Sequence, residues 1–203
     1  LGRGKEVRAE VTGVRESRFE RLLEGEGRVF GIKFRPAMFR SVFGKPMSSL
    51  TNSAMPLVEC FERDGPASVE SLVAAEETED MTRHAEVFLN QILPEAPVSS
   101  QLEIRNLVER VSRDPSIHRL EQLSDIAGVS PRTLQRRFAD VVGVSPKWVI
   151  QRYRLHEALA QLEKGTSVDW SELAMRLGYF DQAHFIKDFK RMIGCTPRSY
   201  LRR

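Results

Sequence analysis

Arg132, Gln135 and Arg136 stand at i, i+3 and i+4, a spacing that puts all three on one side of a helix. Arginine and glutamine are the side chains that hydrogen-bond the edge of a purine bidentately. At a displacement of 51 residues the matching face carries Gln182, Ala183, His184, Ile186 and Lys187. Gln182, His184 and Lys187 are candidates for the same base contact, on a face that is less polar and therefore suited to weaker or more hydrophobic readout. A surface histidine with no such role is about as good a reading of His184. Around these positions Ser130, Thr133, Arg137, Ser145, Lys147, Lys190 and Thr196 supply hydroxyls and cations suited to phosphate oxygens. Ser145 and Thr196 each precede a proline, so both open helices whose first amides can receive a phosphate. An ordinary N-cap uses the same residues. Taken alone, an Arg/Gln helix face is more often plain solvated surface, by roughly three to one.

Repetition reverses that preference. Gly143-Val144-Ser145-Pro146 returns as Gly194-Cys195-Thr196-Pro197, and Leu134, Arg136 and Phe138 return as Phe185, Lys187 and Phe189. After a slip of one residue, Leu123 matches Leu173 and Gly128 matches Gly178. Each copy reads as a short amphipathic helix ended by a glycine, at about 120–127 and 170–177, and then a second helix, at about 131–141 and 182–192. Ser130, followed by Pro131, caps the first of these second helices and Asp181 caps the other. Helix, glycine turn and capped helix make a helix-turn-helix unit, so the chain holds two in tandem, at about 120–141 and 170–192. A linking helix from Pro146 to about Leu162, ~24 Å long at 1.5 Å per residue, separates them. That length suits two second helices entering successive major grooves, about 34 Å apart.

The elements that position these residues divide the 203-residue chain in two. The first hundred residues hold 13 Lys and Arg against 16 Asp and Glu, and the rest hold 18 against 12. The net +3 therefore splits into −3 and +6, a basic module attached to a mildly acidic one. Pro94 to Ser100 reads as a linker between residues 1–93 and 101–203. From Lys5 to Phe34 glycines and β-favouring residues predict short strands, clearest over Val29–Phe34, before a helical segment at Ala37–Phe43. Helical stretches follow at Leu57–Phe61, Val69–Ala74 and about Glu79–Leu93, the last with Met81, Ala85, Phe88, Leu89 and Ile92 on one stripe. The fold expected is mainly α: a seven-helix tandem helix-turn-helix domain preceded by a smaller α+β regulatory segment. A chain opening on Leu1 rather than methionine reads as a processed or truncated product.

Ala174, Gly178-Tyr179, Asp181-Gln182-Ala183-His184-Phe185, Lys187, Phe189-Lys190, Gly194 and Thr196-Pro197 resemble the signature of the AraC/XylS family of bacterial regulators. Leu123, Ala127-Gly128, Ser130 and Leu134 extend the resemblance over about residues 101–203. It implies a transcription regulator, activator or repressor, that sets both second helices in adjacent major grooves of a double-stranded operator, with RNA polymerase as a partner; the two lone cysteines fit a reducing cytoplasm. Ile186 departs from the family, where a polar residue is frequent. Gly31-Ile32-Lys33-Phe34-Arg35-Pro36 and Leu50-Thr51-Asn52 are similar to the end of a sensor domain in a subset of the family. Such sensors begin with a small cupin-like β-barrel, most of which would be missing here. That similarity implies control by a small-molecule effector or by homodimerisation.

Other chemistries find little support. Cys60 and Cys195 lie in no Cys/His spacing that holds zinc, and lone thiols are more often small buried hydrophobes. The acidic run Glu76-Glu77, Glu79-Asp80 reads as a solvated helix start, and Trp148 and Trp170 read as core residues. There is no Ser/His/Asp grouping or phosphate-binding glycine loop, so no enzyme and no cofactor is expected. No run of about 18 apolar residues is present to span a membrane. Two alternatives remain: a DNA-repair enzyme fused to a regulator through a reactive cysteine such as Cys60, and a pure protein-interaction module.

Overall fold

The computed structural model describes residues 8–22, 24, 26–61, 65–75, 77–162 and 169–202. The expected start of strand structure at Lys5, Gly25 within that stretch, and Glu76 of the acidic run lie outside the described residues. In chain order the elements are β1 (Glu10–Thr12), α1 (Arg40–Phe43), a 3-10 turn (Met47–Ser49), β2 (Ala54–Pro56), α2 (Leu57–Cys60), α3 (Gly65–Ala74) and α4 (Thr78–Ile92). They continue as α5 (Ser99–Arg113), α6 (Leu120–Ala127), α7 (Pro131–Val141), α8 (Pro146–Leu162), α9 (Trp170–Arg176), α10 (Gln182–Ile193) and α11 (Pro197–Tyr200). The architecture is mainly α, with seven helices among the described residues after residue 98 and a small α+β segment before them.

The short strands fall elsewhere than the alternation predicts. Residues 27–35 form no strand, and β1 pairs antiparallel with β2 in the register Val11 opposite Met55. A strand needs a ladder partner, and Val29, 79% exposed, has neither a partner edge nor a buried face. Phe34 packs against Phe39 instead, the rings tilted with 4.7 Å between centroids, and Phe39, Phe43, Phe61 and Phe88 continue an aromatic cluster that holds this loop to α2 and α4. The helix expected from Ala37 begins only at Arg40, because buried Ala37 has φ of 68° and interrupts the helical backbone. Ser99 and Ser100, expected in the linker, open α5. Helix α4 follows the reading closely: Ala85 and Phe88 of its stripe are buried, and Glu79 and Asp80 occupy the first turn.

The two helix-turn-helix units form two apolar cores around one helix. Leu123, Leu134 and Phe138 fill the first with Ile104, Val108, Val111, Val149 and Ile150; Leu173, Phe185 and Phe189 fill the second with Leu155, Ala158 and Leu162. Helix α8 thus contributes its first half to one core and its second half to the other, and Trp148 packs against both. Phe138, Phe185 and Phe189 are fully buried, and truncating any of them would cost about 3–5 kcal/mol, comparable to the net stability of a small domain. Arg154 of α8, also buried, donates to the carbonyls of Val111 and of Asp114 (3.1 Å) and pairs with Glu157 (2.8 Å). A guanidinium at the end of α5 thus satisfies the Val111 carbonyl of the last turn, and its positive charge suits the carboxyl end of the helix.

The amino-terminal segment lies against the first unit. Thr51 Oγ1 donates to the Gly143 carbonyl (2.6 Å), Arg40 Nε to Asp140 Oδ1 (3.0 Å), and Ser41 Oγ to Oε1 of buried Gln101 (2.8 Å). Further along, the Arg18 amide donates to the Arg191 carbonyl (3.3 Å) at the end of α10. Residues 13–52 therefore reach both units.

The two helix-turn-helix glycines have unequal surroundings. Gly128 (φ 62°) faces open space, whereas a Cβ on Gly178 (φ 80°) would lie 2.6 Å from the Cβ of His118, in the loop between α5 and α6. Gly128→Ala should cost about 1 kcal/mol, the left-handed penalty alone. Gly178→Ala should cost distinctly more because two backbones must separate, and denaturant titration of both variants checks the order. Burial, with the Arg154 guanidinium nearby, pushes the His118 imidazole below the usual histidine range, and burial does the same to His156. The unfolded chain therefore takes up these protons first, and stability falls as pH drops through the ordinary histidine value. Melting temperature should decline between pH 7.5 and 5.5, and His118→Gln should shallow that decline.

Candidate nucleic-acid interface

Helices α7 and α10 are each built to present one face outward. Ser130 caps α7: its Oγ accepts from the Thr133 amide (3.3 Å), and Pro131 occupies the first turn. Asp181 caps α10, its Oδ1 accepting from the His184 amide (2.7 Å). Leu134, Phe138 and Val141 turn inward from α7, as Phe185, Phe189 and Met192 do from α10. What remains on the outside of α7 is Arg132, Gln135 and Arg136, all exposed and all without a side-chain hydrogen bond or ion pair among the described residues. On α10 the exposed residues are Ala183, His184, Lys187, Lys190 and Arg191, while Ile186 is half-buried against the second core. Gln182 is half-buried, its Oε1 accepting from Ser171 Oγ (3.2 Å) of α9.

Polar contacts fix both helices from behind. Gln151 of α8 donates to Asp188 Oδ2 (2.9 Å), and Arg191 pairs with the other oxygen of that buried carboxylate (3.1 Å). Arg137 turns from the outer face of α7 toward Glu103 of α5 (3.4 Å), and Asp140 meets Arg40. The exposed Arg137–Glu103 pair is worth at most about 1 kcal/mol, so it sets orientation while the two cores supply the stability.

The hydroxyl candidates act first as caps. Ser145 Oγ accepts from the Trp148 amide (3.1 Å), Thr196 Oγ1 from the Ser199 amide (3.2 Å), and Thr133 Oγ1 receives the Ser130 hydroxyl (3.0 Å). Ser130, Ser145 and Lys147 are exposed, and Thr133 and Thr196 are half-buried. The structure thus brings Arg132, Gln135 and Arg136 together on one face, and His184 and Lys187 on another. It directs Arg137 elsewhere.

One prominent residue escapes the sequence reading. Phe180, between Tyr179 and the Asp181 cap, is 91% exposed. The one-residue slip between the repeats marks its place, since the first turn runs Gly128-Val129-Ser130 and the second Gly178-Tyr179-Phe180-Asp181. Cys60 is half-buried, and burial pushes its thiol up, away from the thiolate that a nucleophile requires. Among the described residues no group of three or more His, Cys, Asp or Glu stands together to hold a metal, and no helix is long and apolar enough to cross a membrane.

Residues 123–203 match a family described as a helix-turn-helix domain, and residues 2–56 match a domain of unknown function. The HTH-type transcriptional regulator NimR of Escherichia coli (strain K12) is 32% identical over 133 residues, covering 62% of this chain and 48% of NimR. The chain therefore spans about half the length of that curated relative. Two solved structures of ToxT from Vibrio cholerae align with TM-scores of 0.40, at 15% and 16% identity. They cover 68% and 73% of this chain and 54% and 58% of ToxT. Two capped helix-turn-helix units stand on one linking helix, and the matched domain spans both second helices, so the chain carries a helix-turn-helix domain and is similar over this region to a helix-turn-helix transcriptional regulator.

Proposed function

We propose that this chain is a sequence-specific, double-stranded-DNA-binding transcriptional regulator that lays α7 and α10 into adjacent major grooves. The observation that carries this reading is the outer face of α7, where Arg132, Gln135 and Arg136 stand exposed while Leu134, Phe138 and Val141 are buried. Those three residues read bases, with His184, Lys187 and Gln182 reading the second groove more weakly. Lys147 and Lys190 hold phosphates by charge, and Ser130, Ser145 and Thr196 do so beside the helix N-termini they cap. Thr133 and Arg137 are the weaker phosphate candidates, because each is half-buried and already engaged within the protein. Residues 99–203, from the start of α5, are the DNA-binding domain, residues 1–93 the regulatory region, and 94–98 the linker between them.

Regulation acts through the amino-terminal contacts. The bonds from Thr51 to Gly143 and from Arg40 to Asp140 hold the carboxyl end of α7, so a small-molecule effector or a second copy of the chain acting on residues 1–93 would move α7 through them. RNA polymerase is the partner expected of an activator bound beside a promoter.

A mobility-shift experiment with the full chain and fragmented genomic DNA tests the reading and recovers the operator. On that operator Arg136→Ala should cost about 1–3 kcal/mol and relax preference at one base position, whereas equal loss on random DNA would contradict direct readout. Lys147→Ala should weaken all sequences alike and lower the salt dependence by about one unit of log–log slope. Affinity insensitive to salt would overturn the phosphate assignments.

A further inference from the structure

Among the described residues Phe180 is the most exposed large apolar side chain, and the fold gives it no internal role. The residue before an N-cap ordinarily packs against the fourth helical residue and fixes the chain's entry. In α10 that fourth residue is Phe185, and Tyr179 has taken the contact, edge to face at 5.4 Å, leaving Phe180 pointing out. The shorter first turn has no counterpart, because Val129 packs inward and Ser130 is already the cap. Phe180 is the extra residue of the second turn. It stands at the head of α10, next to exposed Ala183, and Lys187 and Lys190 follow on exposed turns of the same helix. Cations beside an apolar tip suit a polyanion that itself offers an apolar group.

We propose that Phe180, with Ala183 beside it, reads a thymine C5-methyl group in the major groove occupied by α10. The proposal rests on the DNA-binding reading above and names what its less polar half recognises. In B-DNA the thymine methyl is the apolar feature of the major-groove edge, and phenylalanine and alanine are among the side chains that contact it. Residues at the start of a recognition helix are the ones that meet base edges. The second half-site is thus selected by a methyl group, and the first by hydrogen bonds.

The test uses the full chain and duplex oligonucleotides that it selects from a randomised pool. Each thymine of the half-site under α10 is replaced in turn by uracil, which pairs identically and lacks only the methyl. Wild type should lose about fourfold in affinity at one or two positions, the equivalent of the roughly 0.8 kcal/mol attached to one buried methyl-sized group. Phe180→Ala should bind the thymine and uracil duplexes equally, and Phe180→Leu should keep part of the discrimination. Melting temperatures of the variants should match wild type, since the side chain supports no core. Equal binding of thymine and uracil duplexes by wild type, or discrimination retained in Phe180→Ala, overturns the proposal. So does unchanged DNA binding in Phe180→Ala with lost transcription, which would make Phe180 a polymerase contact. Recovery of no preferred sequence at all would overturn the DNA-binding reading itself.

Discussion

Helix α8 is buried in two cores at once, and the rest of the helix-turn-helix arrangement depends on that fact. Val149 and Ile150 belong to the first core, Leu155, Ala158 and Leu162 to the second, and Trp148 touches both. A helix held by apolar contacts at both ends cannot bend or rotate without opening one core, because interiors are close-packed and shift between discrete arrangements rather than deforming smoothly. The separation of α7 and α10 is therefore built into α8, and its direction is reinforced by Arg154 at the end of α5 and by Gln151 on Asp188.

The two units share this spine and differ in what they expose. On α7 the outward residues are long hydrogen-bonding side chains, and on α10 they are a mixture of alanine, histidine, lysine and arginine, headed by a phenylalanine. The inner faces are nearly interchangeable, Leu134 and Phe138 in one place and Phe185 and Phe189 in the other. Packing constrains the inner residues to be apolar and of similar size, whereas nothing within the protein constrains the outer ones. Divergence of the outer face is what two units would show if each met a different chemical surface.

The amino-terminal segment couples to this arrangement through few but well-placed groups. Arg40, Ser41 and Thr51 reach α7, the turn after it, and α5, while Arg18 reaches the end of α10. Each neutral hydrogen bond is worth about 1 kcal/mol net, so the contact is strong enough to orient and weak enough to rearrange.

Local chemistry in the sequence determined the tandem units nearly residue by residue: Gly128 and Gly178 end helices in left-handed turns, and Ser130 and Asp181 start them through side-chain caps. The Arg132, Gln135 and Arg136 face was equally legible, since 3.6-residue periodicity alone separates it from Leu134 and Phe138. Tertiary structure decided the rest. Val29 to Phe34 alternates like a strand, yet the ladder formed between Glu10–Thr12 and Ala54–Pro56, because pairing depends on which distant segments meet. Arg137 looks in sequence like its neighbour Arg136, and only Glu103 on another helix turns it away. Phe180 escapes the sequence reading altogether. Its exposure follows from Tyr179 having filled the site on Phe185, a competition for one cavity that no local pattern records.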